Sequence, residues 1–90
     1  MWKYQVTEVH KVAGRLDSQA QVVTLPPLAS RATDRKALGK ILREARLLAP
    51  GQSIAEVRHT RECWAEFTVF PNNAPGLTTG THALLFKAID

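Results

Sequence analysis

The run Asp34-Arg35-Lys36-Ala37-Leu38-Gly39-Lys40-Ile41-Leu42-Arg43-Glu44-Ala45-Arg46-Leu47-Leu48 decides the fold class, because its apolar residues have a clear period. Leu38, Ile41, Leu42, Ala45 and Leu48 recur at three- and four-residue steps and form one stripe along a helix. Thr33 or Asp34 can cap the start, and the Asp34 carboxylate suits the positive end of the helix dipole. Arg43 and Arg46 fall in the last turns, where cations are favoured, and Ala49-Pro50-Gly51 stops the helix. The spacing predicts a helix over 34–48.

Outward from this helix the chain reads as strands. Trp2, Tyr4, Val6 and Val12 share one parity and Lys3, Gln5, Thr7 and Lys11 the other, with Glu8 and His10 breaking the apolar face at its far end. Trp2 and Tyr4 are expected in the core. Gly14, Asp17 and Ser18 predict a turn over 13–19, and the β-branched stretch 20–25 a second strand, paired with the first as a hairpin and ended by Pro26-Pro27. Beyond the helix, 54–59 and 63–70 are strand-like around Thr60-Arg61-Glu62. Their register stays open: a three-residue loop sets Glu56 opposite Glu66, and a two-residue turn sets Val57 beside Trp64. Residues 71–81 read as a long loop and 82–88 as a last strand. The order is β-β-α-β-β-β, an α+β fold in one domain spanning 1–90, with a mostly antiparallel sheet and one amphipathic helix packed on one face. No linker or targeting segment is evident.

Composition narrows the functional classes. Ninety residues with ten Gly and Pro and no repeat allow one modest core. The single cysteine excludes an internal disulfide framework and a cysteine-only zinc site. The longest apolar run, Ala83-Leu84-Leu85-Phe86, falls far short of the roughly 20 residues of a membrane span. The first ten residues lack an apolar signal-peptide core, so a cytoplasmic protein is expected.

The charge is unevenly placed. Between Arg31 and Arg46 stand six basic and two acidic residues, and the rest of the chain carries six of each. The whole net charge of +4 therefore belongs to the helix and its lead-in. Arg35, Lys36, Lys40, Arg43 and Arg46 cover one arc opposite the leucine stripe, which points to a polyanion such as nucleic acid or an acidic protein surface. Gly39 lies within this arc at a cost of roughly 1 kcal/mol relative to alanine, which close approach of a phosphate would repay. The plainer alternative is a solvated basic surface with a tolerated glycine. Helix-turn-helix, zinc-finger and RNA-recognition signatures are absent.

Trp64 falls on the strand parity opposite Phe67 and Val69, near Arg58 and Arg61, so it is a candidate anchor for a protein partner, with Asn72 and Asn73 supplying hydrogen bonds. The alternative is that Trp64 covers a second small cluster. His59 and Cys63 do not complete a metal site, and Cys63 reads as a small buried hydrophobe. No phosphate-binding loop, dinucleotide fingerprint or catalytic serine motif occurs, and no cofactor is expected. Three functions follow: a non-enzymatic polyanion binder acting through the basic helix face; a protein-interaction module, regulator or inhibitor, docking through Arg58, Trp64 and the 71–81 loop or an exposed sheet edge; and a small ribonuclease-like enzyme using His59 or His82 with a nearby arginine. The chain is expected to be a monomer or a homodimer.

Overall fold

A computed structural model of the chain describes residues 1–12, 14–28, 34–72 and 82–89, with backbone alone for Lys11, Val12, Cys63, Trp64 and His82. Five strands, β1 (Trp2–Val12), β2 (Arg15–Leu25), β3 (Ile54–Thr60), β4 (Cys63–Pro71) and β5 (His82–Ala88), form one sheet. Their order is β2-β1-β5-β4-β3 and every pairing is antiparallel. The helix α1 (Arg35–Glu44) connects the two edge strands, lies beside β3 and covers one face of the sheet. The α+β architecture read from the sequence is the one observed.

The core lies between sheet and helix. Tyr4 and Val6 of β1, Leu84 and Phe86 of β5, and Phe67 and Val69 of β4 are buried on the same face. Leu38 and Leu42 of α1 and Leu47, Leu48 and Ile54 behind it meet them. The Phe67 and Phe86 rings stack with centroids 4.9 Å apart, and Tyr4 meets Phe86 edge-on at 6.5 Å. Trp2 stays 43% exposed, contrary to its expected place in the core: it shares the parity of Tyr4 and stacks on it, but sits at the end of the sheet. Leu28, just beyond the proline pair, is fully buried and donates its backbone N–H to the Tyr4 hydroxyl at 2.9 Å. Replacing Tyr4 by Phe strands that buried donor and is expected to cost about 1–3 kcal/mol. Thermal denaturation followed by circular dichroism reads this as a fall of several degrees in Tm.

The sequence reading errs at three boundaries, each for a local reason. The predicted turn over 13–19 is largely strand: β2 begins at Arg15 and pairs with β1 in eleven successive positions from Val12↔Arg15 to Trp2↔Leu25. Gly14, at φ +80°, belongs to the short connection, whereas Asp17 and Ser18 belong to an edge strand exposed from Arg15 to Val22. The helix ends at Glu44, four residues early. Asp34 does cap its start, accepting from the N–H groups of Lys36 and Ala37. At the other end Arg46 turns to φ +61°, its N–H bonds to the Arg43 carbonyl, and the Leu47 N–H bonds to the Leu42 carbonyl at 2.8 Å. This is the Schellman closure, with Leu47 folding back to join Leu42 in the core. Arg46 occupies the position that glycine usually fills there. Arg46→Gly is therefore expected to raise stability by about 0.5–1 kcal/mol, visible as a higher Tm, because the left-handed cost to a Cβ-bearing residue is removed.

The third correction concerns the β3–β4 hairpin. Its turn has two residues, Arg61-Glu62, closed by Thr60↔Cys63, one position on from the two-residue alternative. The next pair is His59↔Phe67, so three β4 residues (64–66) intervene on one strand and none on the other. This irregularity gives neither expected register. It sets Glu56 opposite Phe70, away from Glu66, and pairs Val57 with Val69 on the core face. Pro71 closes β4 where the sequence suggested the start of a loop. Residues 73–81, the rest of that loop, lie outside the described residues.

Candidate nucleic-acid interface

The turn after the helix builds one wall of the site. Ala49, Pro50, Gly51 and Gln52 form a turn in which the Gln52 N–H bonds to the Ala49 carbonyl at 3.0 Å, with Gly51 at φ +86°. Proline followed by a positive-φ glycine is the requirement of a type II turn. The Gln52 side chain returns a bond, accepting the Ala49 N–H at 2.8 Å. The chain then runs antiparallel to β4, where Asn72 pins it twice: its backbone N–H donates to the Ser53 carbonyl at 2.7 Å and its amide to the Ser53 hydroxyl at 3.0 Å.

Against this wall lies the basic flank of α1. Arg35 donates to the Ala55 carbonyl at 2.9 Å and Arg43 to the Gln52 carbonyl at 3.3 Å. Both guanidiniums are thus held by neutral acceptors. Lys36 and Lys40 stand exposed beside them, one turn apart and about 6 Å along the helix axis. Arg35, Lys36, Lys40 and Arg43 line an open groove of about 510 Å³, together with Ser53 and Ile54. Arg46 lies outside this groove, lining a neighbouring depression with Arg43, Leu48, Ala49 and Pro50. Among the described residues no carboxylate lies within ion-pair distance of Arg35, Lys36, Lys40, Arg43 or Arg46, although Glu56, hydrogen-bonded to Arg58, also feels the charge of Arg35.

Gly39 is buried within this arc. A Cβ there would lie 3.3 Å from a guanidinium nitrogen of Arg43, so the side chain of Arg43 fills the space that the sequence reading left open for a phosphate. The glycine lets Arg43 lie flat across the helix on its way to Gln52.

The other proposed contacts are dispersed. Arg58 projects from the uncovered sheet face with its charge engaged locally: it donates to Glu56 at 2.8 Å and lies 4.8 Å from the centre of the Phe70 ring. The Arg58 hydrogen bond also holds the Glu56 carboxyl below its usual range. Asn72 is not among the residues that line the groove and reaches it only through its hydrogen bond to Ser53. The Trp64 side chain and Asn73 lie outside what is described. His59 packs against Phe67 at 5.8 Å, and His10 lies 3.9 Å from Glu8. Among the described residues no group of three or more His, Cys, Asp and Glu comes together, and no helix is long and apolar enough to cross a membrane.

Sequence reasoning missed Ser53 and its tie to Asn72. The two are nineteen positions apart, and neither carries a charge that would attract attention. No protein-family model matches the chain, and neither the curated proteins nor the solved structures contain a match to it.

Proposed function

We propose that this protein is a non-enzymatic binding protein that engages nucleic acid, or a polyanion of comparable charge density, through the basic face of α1. The supporting observation is the convergence of four cations and Ser53 on one open groove, with no described carboxylate within ion-pair distance of them. Two of the four are already oriented by backbone carbonyls, which lowers the ordering cost of binding. Lys36 and Lys40 supply mobile charges that follow a phosphate chain without reading its bases. Sequence-tolerant recognition in the cytoplasm, where the lone Cys63 stays reduced, fits this design.

Fluorescence anisotropy with labelled random oligonucleotides, single- and double-stranded, tests the reading. Three to four phosphate contacts give a log–log salt slope of roughly −3 on duplex DNA and a dissociation constant near ~10⁻⁴–10⁻⁶ M at physiological salt. An acidic polypeptide serves as the control. Absence of binding to either oligonucleotide at low salt sinks the proposal.

The interaction-module reading has less support. Arg58, its intended cationic anchor, is paired with Glu56 on the sheet face.

A further inference from the structure

The sheet has two edges, and the chain treats them differently. β3 is short, seven residues, and its register shifts at both ends. Its Ala55 carbonyl, at the first irregularity, is occupied by Arg35, and Glu56 and Arg58 add charge. Bulges, short length, charges and covered carbonyls are the devices by which proteins stop an edge strand from pairing. β2 is neither short nor bulged, and its two charges, Arg15 and Asp17, stand near one end. It runs eleven residues in unbroken register with β1, contains no lysine or proline, and exposes Leu16 (72%) and Val22 (60%).

The direction of its free hydrogen-bonding groups follows from one bond. The Lys3 carbonyl accepts from Ile89, beyond the end of β5, so Lys3 points its backbone groups away from β2. Its partner Thr24 therefore has no ladder bond to it. Because the register is unbroken, Val22, Ala20, Ser18 and Leu16 likewise turn their N–H and C=O groups outward, away from β1.

We propose that β2 pairs with β2 of a second copy of this chain, antiparallel about a two-fold axis at Gln19, giving a continuous ten-stranded sheet. The strand is complementary to itself in this register. Leu16 faces the second copy's Val22 twice, Ser18 faces Ala20, Asp17 faces Gln21 and Arg15 faces Val23, so the two most exposed apolar residues of the strand meet each other and no like charges stand opposite. A register centred at Ala20 would set Leu16 against Thr24 and Val22 against Ser18, leaving both exposed apolar residues opposite polar ones. Charge also favours a second copy. β2 carries only Arg15 and Asp17, which cancel, whereas the cations of α1 lie beside β3 at the opposite edge. Since paired residues share a sheet face, both helices lie on the same side of the joined sheet. This assembly is independent of the polyanion reading.

Sedimentation equilibrium of the full chain, compared with two variants, tests the proposal. Ala20→Pro removes an outward N–H and no bond to β1, so the monomer keeps its fold while the edge is blocked. Leu16→Lys with Val22→Lys places edge lysines at two exposed positions and covers the case in which the proline variant fails to fold. The wild type is expected at twice the 10.0 kDa chain mass, and the folded variants at the monomer mass. Gln19→Cys in a Cys63→Ser background is expected to oxidise to a single covalent dimer. Facing Gln19 residues form a non-hydrogen-bonded pair at about 4.5 Å between Cα atoms, within disulfide range. A wild type that stays monomeric up to its solubility limit overturns the proposal, including one that instead takes up extended peptides. So does a dimer that survives the edge variants, or a Gln19→Cys protein that fails to cross-link.

Discussion

Phe67→Ala is expected to leave little folded protein at physiological temperature. Phe67 is 2% exposed and its ring is sandwiched in the centre of the molecule. Phe86 of the neighbouring strand stacks on it at 4.9 Å, and His59 of the other neighbour approaches at 5.8 Å. Truncation removes the transfer energy of the ring and leaves a void that Phe86 cannot fill, because Phe86 is itself fixed edge-on by Tyr4. Phenylalanine-to-alanine changes at such sites cost about 3–5 kcal/mol. A domain of ninety residues holds only about 5–13 kcal/mol in total. The corresponding fall in Tm is roughly 15–30 °C. Leu85→Ala makes the control. Leu85 lies next to Phe86 but faces the uncovered side of the sheet, 42% exposed, and its truncation is expected to change stability by less than about 1 kcal/mol. Urea unfolding of both variants separates the outcomes. Equal small losses would mean that the aromatic stack does not hold the two halves of the sheet together.

The contrast between those two neighbours shows what the chain declares locally and what it does not. The leucine stripe of α1 and the alternation of β4 are legible because burial imposes a period on one face, and Leu38, Leu42, Phe67 and Val69 are all buried as read. The outer half of β2 carries no such period because it is exposed on both faces, so Asp17 and Ser18 looked like turn residues. The helix end was hidden because arginine rather than glycine takes the left-handed position at Arg46. The β3–β4 register depends on three extra residues in one strand, and alternation alone cannot count these. The candidate interface divides in the same way. Four of the five cations and their common arc follow from one helix, but Arg46 falls beyond the helix end and outside the groove, and the carbonyls that orient Arg35 and Arg43 come from a segment that only the tertiary fold brings alongside. Gly39 was correctly seen as unusual, but Arg43 occupies the space it leaves, so its use is internal.

That division sets the most informative change at the interface. Lys36→Gln together with Lys40→Gln is expected to remove most of the oligonucleotide affinity while changing stability by less than about 1 kcal/mol, since both residues are exposed and neither side chain bonds to another described residue. Each lysine that neutralises a phosphate contributes about one unit to the log–log salt slope, so the double variant should fall from roughly −3 to about −1. Arg43→Gln is a different experiment. It also releases the Gln52 carbonyl and uncovers Gly39, so it mixes a loss of charge with loosening of the turn that forms the groove wall. A Lys36/Lys40 variant with weakened binding and an unchanged slope would mean that the lysines shape the groove without meeting phosphates. Unchanged binding would leave the basic face of α1 as a solvated surface and remove the ground for the proposed function. If both affinity and slope fall together while stability holds, the charge of +4 concentrated on one helix and its lead-in has its explanation: Arg35 and Arg43 are fixed by the fold, and Lys36 and Lys40 are left to meet the anion.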